Sequence, residues 1–226
     1  MRFFYFFICI FFISCTLNVV KKTSLETTKA LSIDELFLLL PKEAFYINEI
    51  QQIISSKERQ IILESTTGER AVALSSNFLI DTSQSSNSFL KFTSFANDEG
   101  IAVSLKTWER EDKSIVVGVN ITISDMCCEY SKLNLFHYKN AAFRNVTKKI
   151  FPKLRLEDFV TKIDAKTKAL LPTPIELTIY CSPDNDFLEL SIDHTPMLYD
   201  LEDNLTTIEQ KLKLFWKNDS FVMYEN

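Results

Sequence analysis

The stretch Ile115-Val116-Val117-Gly118-Val119-Asn120-Ile121-Thr122-Ile123 is the clearest strand signal in the chain, and it decides the fold class. Its odd positions are all β-branched and apolar, while its even positions become small or polar from Gly118 onward. A period of two places successive side chains on opposite faces of a strand. Because β-branched side chains also fit the pleated surface of a sheet, the stretch predicts a strand with one strongly apolar face.

The neighbouring segments extend this strand into an antiparallel sheet. Residues 101–108 alternate in a similar way, and the charged residues 109–113 form a turn that leads into the strand. A tight turn makes the two strands pair antiparallel. Two weaker strands are predicted at residues 89–95 and 130–138, and together these segments form a first β region.

A second β region is predicted near the C-terminus. Residues 156–170 are interpreted as partly helical, and the prolines of Pro172-Thr173-Pro174 end any helix there. The segments that follow alternate again and are separated by turn-forming residues. They comprise a strand at 175–181, a turn at 182–186, a strand at 187–192 and a closing hairpin at 212–224.

Two capping boxes predict short helices ahead of the sheets. Ser32 and Glu35 have the spacing in which the serine accepts from an amide while the glutamate reaches back. Ser55 and Glu58 repeat it, and Pro41 ends the first helix. The predicted fold class is α+β, with short N-terminal helices followed by two antiparallel, meander-like β regions. One face of each sheet is expected to be buried against helices or the other sheet.

The first 20 residues form a membrane-targeting leader. A short basic start is followed by an unbroken apolar run at residues 3–13, as in a signal peptide. A membrane-spanning helix needs roughly 20 apolar residues, so export is favoured over an uncleaved anchor. The other divisions are a polar tether at 21–31 and the regions 32–150 and 151–226, which form either one compact domain or two closely packed ones.

The end of the leader carries a candidate lipid-attachment residue. Phe12-Ile13-Ser14-Cys15 resembles the lipobox of bacterial lipoproteins, although that pattern usually has leucine where Phe12 stands. The resemblance implies that an acylated Cys15 anchors the mature protein to the membrane. The alternative is an ordinary signal peptide that is cut slightly later. The predicted location is the cell envelope, with the protein lipid-anchored, periplasmic or secreted.

Composition limits the classes of partner. The chain has a net charge of −5 and a pI near 5.2, and its basic residues are interpreted as scattered, which argues against a nucleic-acid partner. Only 3 glycines are present, so glycine-rich loops that hold a phosphate are not expected. No cofactor is predicted.

The cysteines and histidines offer little chemistry. No C-x-x-C pair exists, so no metal site is predicted. In an oxidising compartment Cys181 is expected to pair with Cys127 or Cys128, unless these residues are free and buried as small apolar groups. His137 and His194 are the only histidines, and no catalytic residue is predicted.

Aromatic residues are the remaining site candidates. Trp108, Tyr138 and Trp216 are predicted to line a binding surface, because aromatic side chains are enriched at contact sites. The alternative is that they fill the core of a sheet or shield its edge.

Several segments resemble an uncharacterised family of exported Bacteroidetes proteins. They are Leu36 to Phe45 with its Leu40-Pro41, Phe136-His137-Tyr138, Ile175 to Ile192, and Leu214 to Phe221. The last hairpin of that family usually has a glycine where Asp219 or Ser220 stands. The resemblance implies a fold and an address outside the cytoplasm, and it implies no activity.

The first hypothesis is a non-enzymatic binding or structural module of the cell envelope whose β surface contacts a protein or glycan. The alternative is a secreted hydrolase that uses paired carboxylates. A contiguous exposed aromatic patch favours the first hypothesis. Two carboxylates converging in a cleft favour the second.

Overall fold

The computed structural model describes residues 31–47, 53–64, 71–72, 77–80, 86–96, 99–124, 129–159, 177–192 and 211–223. The leader with Cys15, the tether as far as Ala30, the pair Cys127-Cys128, and His194 lie outside these residues. The unit that contains the described residues runs from Leu31 to Asn226.

The first sheet has seven strands, and each pairs antiparallel with the next in sequence. The four strand segments predicted for the first β region are confirmed, whereas the short strands β1, β2 and β7 were not predicted. The strands are β1 Ala71–Val72, β2 Asn77–Ile80, β3 Phe89–Ala96, β4 Glu99–Glu109, β5 Ile115–Ser124, β6 Glu129–Lys139 and β7 Ala142–Asn145.

The N-terminal helices form where the capping boxes predict them. Helix α1 spans Ile33–Leu39, and Glu35 N donates to Ser32 Oγ at 3.2 Å while Ser32 N donates to Glu35 Oε2 at 2.7 Å. Helix α2 spans Ser56–Glu64 and begins with the same reciprocal pair. The other helical segments are a 3-10 turn at Lys42–Phe45, the short helix α3 at Thr147–Ile150 and a 3-10 turn at Leu156–Asp158.

A buried arginine joins the two N-terminal helices. Arg59 on α2 is only 4% exposed, and its Nη1 donates to the carbonyls of Phe37 and Leu40 at 2.8 and 2.6 Å. Its guanidinium also lies 5.0 Å from the centre of the Phe45 ring. Arg59 thereby satisfies carbonyls at the end of α1 that no helical amide can reach.

The helices cover one face of the first sheet. Val117, Val119 and Ile121 on β5 are at most 1% exposed and pack with α1, α2 and the 3-10 turn between them. Phe37 lies at the centre of this cluster, with ring centroids 5.6 Å from Phe45 and 5.4 Å from Phe92. This face carries the odd-numbered residues of β5, whose alternation predicted the strand.

A second antiparallel sheet has four strands in the order β11-β10-β9-β8. Its final hairpin turns through Asn218 and Asp219, with φ of 50° and 60°; asparagine and aspartate tolerate this left-handed conformation better than most residues. The predicted second β region is thus confirmed where the structure describes it. The strands are β8 Thr178–Cys181, β9 Phe187–Ser191, β10 Leu212–Lys217 and β11 Ser220–Met223.

The inner face of the second sheet packs on the other face of the first. Trp108 and Val116 from the first sheet cluster with Leu188, Leu214 and Phe221 from the second. Gly118 permits this packing, because a Cβ at that position would lie 2.6 Å from a carbon of the Trp108 indole. Each sheet has a buried face, as expected, and the first sheet is covered on its second face as well.

The described chain is therefore dominated by β structure, with a few short helices beside two antiparallel meanders. The predicted α+β class holds in this coarse sense.

Candidate functional site

The outer face of the second sheet presents a row of apolar side chains. Phe187 pairs with Phe215 across β9 and β10, and Phe215 pairs with Val222 on β11. Tyr180 lies on the same face of β8, opposite Glu189. Tyr180 is 45% exposed and Val222 is 37% exposed, whereas the two phenylalanines are partly exposed. We call these four side chains the outer row.

Charged side chains frame the outer row. Lys213 Nζ lies 4.6 Å from the centre of the Phe187 ring, and Lys211 forms a 2.7 Å ion pair with Glu189. The two phenylalanine rings lie 5.3 Å apart. The face thus combines flat apolar rings with hydrogen-bonding groups of both charges, the composition typical of contact surfaces.

One end of the outer row opens into a pocket of about 270 Å³, slightly below the usual range for small-molecule sites. Two rings and several polar groups form its walls, so a small polar ligand could stack and form hydrogen bonds there. The lining residues are Tyr180, Cys181, Ser182, Asn185, Phe187, Glu189 and Lys211.

A buried lysine holds the turn that forms one wall of this pocket. Lys106 on β4 is 5% exposed, and its Nζ donates to Ser182 O at 2.6 Å and to Asn185 O. Burial lowers the pKa of Lys106, while smaller electrostatic effects of Cys181, Asp186 and Asp184 act in the opposite direction. Lys106 is thus a positioning residue for the turn at 182–186.

Further polar bonds fix β8 against the first sheet. Asn120 Nδ2 donates to Ile179 O at 2.6 Å, and Ile179 N donates to Ser131 Oγ at 3.0 Å. Thr178 Oγ1 donates to Glu129 O at 2.9 Å. These bonds hold the strand that carries Tyr180.

Cys181 is a free cysteine among the described residues. Its thiol is enclosed although the residue is partly exposed, and burial raises its pKa to about 12, against smaller opposite effects of Lys106 and Ser104. At neutral pH such a thiol is protonated and therefore a poor nucleophile. Because Cys127 and Cys128 lie outside the described residues, the disulfide stays a prediction.

The three predicted aromatic residues do not form one surface. Trp108 is 5% exposed and contacts Trp216 and Phe221, with ring centroids at 6.1 and 5.0 Å. Trp216 is partly buried, and its Nε1 donates to Glu109 O at 3.0 Å. Tyr138 lies on the helix-covered side, 4.7 Å from Phe143. Their binding role stays a prediction, while the outer row was not predicted as a site.

His137 belongs to a hydrogen-bonded chain at the end of β6. Its Nε2 lies 2.7 Å from Ser114 Oγ, and that hydroxyl donates to Asp112, which also pairs with Lys139 at 2.7 Å. Burial, followed by the charge of Arg110, lowers the pKa of His137. Since the serine proton is directed at the aspartate, His137 is not placed to remove it, and the arrangement differs from a hydrolytic triad.

Other catalytic arrangements find no support in the described part of the chain. Within it, no group of three or more His, Cys, Asp or Glu residues is arranged to hold a metal ion. Among three pockets in the described part of the chain, the one beside the outer row is lined by a carboxylate, Glu189, and the other two are not. No described helix is long and apolar enough to cross a membrane.

The interpretation that basic residues are scattered is wrong for one segment. Residues 130–156 contain seven lysines and arginines and no acidic residue. They form β6 except its first residue, Glu129, together with the edge strand β7, α3 and the chain that follows. We call this region the basic edge.

The fold itself has a solved counterpart. The chain is similar to the structure of a domain of an uncharacterized protein from Porphyromonas gingivalis W83, with a TM-score of 0.60 and 16% sequence identity. The similarity covers 85% of this chain and 98% of that one. No protein-family model and no curated protein matches the chain. At this identity the likeness concerns the fold alone. The similar domain comes from a Bacteroidetes species.

Proposed function

We propose that the protein is a non-enzymatic binding module of the cell envelope, exported by its leader and tethered through Cys15. The outer row is its contact surface. This assignment rests on one observation above all, the adjacent Tyr180, Phe187, Phe215 and Val222 on a sheet face whose opposite side is fully used for packing.

The pocket favours a glycan over a protein as the partner. It offers aromatic rings from Tyr180 and Phe187 and hydrogen-bonding groups from Asn185, Glu189 and Lys211 within a small volume. A sugar ring presents an apolar face and a polar rim, which this combination matches. Membership of the exported Bacteroidetes family is part of the same proposal and agrees with the origin of the similar solved domain.

The cellular location is tested by mass analysis of the mature N-terminus after the full chain is expressed in a bacterium that processes lipoproteins. The expected product begins at an acylated Cys15, and Cys15→Ala abolishes acylation. An unmodified chain that still begins at Met1 and is recovered in the cytoplasm would overturn the assignment to the envelope.

Binding is tested by titration calorimetry with chitohexaose, cellohexaose and maltohexaose. We expect at least one to bind, and Tyr180→Ala to weaken it by about tenfold or more, as for a central aromatic contact. Leu39→Ala is the matched control, because Leu39 is 55% exposed on α1. Equal losses in both variants would contradict the assignment.

Absence of binding to all three oligosaccharides would exclude these glycans as the ligand. A photo-crosslinking residue at position 180 in the producing cell then tests for a protein partner. A discrete adduct at position 180 that is missing at position 39 supports a protein ligand at the same face. No adduct at either position overturns the contact surface.

A further inference from the structure

The basic edge contrasts with the charge of the whole molecule. Residues 130–156 carry a net charge of +7, which leaves −12 on the other residues, with 18 lysines and arginines against 30 acidic groups. Such an asymmetry creates a local positive potential on an acidic protein. The region lies on β6, β7 and α3, which are not the strands that carry the outer row.

Most cations of this edge have no acidic partner among the described residues. Outside the edge, Lys113 pairs with Glu109, Lys211 with Glu189 and Arg110 with Asp219. In the basic edge, Lys139 pairs with Asp112. For the other six, the described structure places no carboxylate within ion-pair distance: Lys132, Arg144, Lys148, Lys149, Lys153 and Arg155.

Two concave sites lie along the edge. The larger, about 490 Å³, lies between β6 and the start of α3 and includes Lys132, Lys148 and Lys149 in its lining. The other, about 300 Å³, is lined by His137, Lys139 and Arg144 with two small neighbours. Cationic side chains therefore surround two hollows that follow one another along the same edge.

We propose that the basic edge binds an acidic polysaccharide, whose successive carboxylate or phosphate groups enter the two hollows. A linear chain of anionic groups matches two neighbouring cationic sites, whereas a flat bilayer does not enter a concave surface. No phenylalanine, tyrosine or tryptophan lines either hollow, so the base stacking that single-stranded nucleic acids use has no platform there.

The structural alternative is that these charges only protect an edge strand. β7 is the last strand of the first sheet, and lysines at such edges discourage pairing with another chain. However, Lys148, Lys149, Lys153 and Arg155 lie beyond β7 and outside any strand. A binding role accounts for these positions as well.

The test measures binding of polygalacturonate to the full chain in neutral detergent, with dextran as the uncharged control. We expect the protein to bind polygalacturonate but not dextran. The affinity should fall steeply between about 50 and 200 mM salt, because the release of counterions on binding gains less entropy at higher salt. Lys149→Glu should weaken binding by about tenfold at the lower salt concentration. The matched control is Lys57→Glu, an exposed helical lysine on α2 with the same change of net charge.

Three results would overturn the proposal. Equal weakening by the two variants indicates a general charge effect, and tighter binding of oligo-dT or of anionic phospholipid vesicles assigns the edge to another class of partner. Self-association of Lys149→Glu with unchanged affinity assigns the edge to protection against aggregation. Because the outer row lies on different strands, the failure of either proposal leaves the other standing.

Discussion

The two faces of the first sheet are both buried, but they are buried by different means. On the helix-covered face, Val117, Val119 and Ile121 lie in an apolar cluster. On the face under the second sheet, Asn120 and Thr122 are 3% and 8% exposed. Asn120 donates to Ile179 O across the layer, and Thr122 bonds to Ser131 on the neighbouring strand. The comparison teaches that a polar face can be buried when partners replace water, because the main cost of burial is an unpaired group.

The largest effect is expected on the apolar face. Phe37→Ala should lower the free energy of unfolding by about 3–5 kcal/mol, since it opens a cavity among closely packed rings. Urea unfolding measures the change. Leu39→Ala on the same helix should cost less than about 0.5 kcal/mol, because Leu39 is exposed. A similar loss in both variants would show that Phe37 contributes no more to stability than an exposed residue of the same helix.

A smaller loss is expected on the polar face. Asn120→Ala removes the donor to Ile179 O and leaves that carbonyl unpaired, which should cost about 1–3 kcal/mol. Hydrogen exchange should show that amide protection falls first in β8, the strand that Asn120 holds. If unfolding is easier but β8 keeps its protection relative to β9, the bond is not what attaches the strand.

The smallest effect concerns the ion pair at the rim of this face. Arg110 Nη2 donates to Asp219 Oδ2 at 2.9 Å, and this bond is the main cause that lowers the pKa of Asp219 in the folded protein. A lowered folded pKa stabilises the protein above the unfolded value of about 3.9. That contribution is lost as the pH falls through the folded pKa.

Asp219→Asn provides the measurement for this pair. Asparagine also tolerates the left-handed backbone at this position, so the variant keeps the turn and removes the titration. The difference in melting temperature between wild type and variant should be constant above about pH 5 and shrink below about pH 4. A difference independent of pH would mean that the charge of Asp219 does not contribute.

Helices and strands could be predicted from the sequence where a few neighbouring residues carry the pattern. The Ser32 and Glu35 capping box places the start of α1, and the alternation of Ile115 to Ile123 places β5. By contrast, β7 has only four residues, too few to show a period. Lysine and asparagine usually lie at the surface. The burial of Lys106 and Asn120 depends on a second sheet that is distant in sequence, so it could not be predicted locally.

The candidate site was missed for a related reason. Trp108 and Trp216 were predicted as binding residues because they are large and aromatic. Their positions in the alternation of the strands place both side chains toward the interior. The sequence did contain a signal for the outer row. Phe187 lies two residues from Glu189, and Phe215 lies two residues from Lys213, so each pair shares one face of its strand. An aromatic residue that alternates in phase with charged residues indicates a solvent-facing side. Which face of a sheet another layer covers, however, depends on tertiary packing.

The strand order has a consequence for how the chain acquires its structure. Every described strand pairs only with the one before or after it, so the first sheet can grow by adding one neighbouring strand at a time. Low sequence separation between contacts generally gives faster folding. A chain that emerges N-terminus first can therefore assemble the first sheet in order, strand by strand, and receive the second sheet as its final layer.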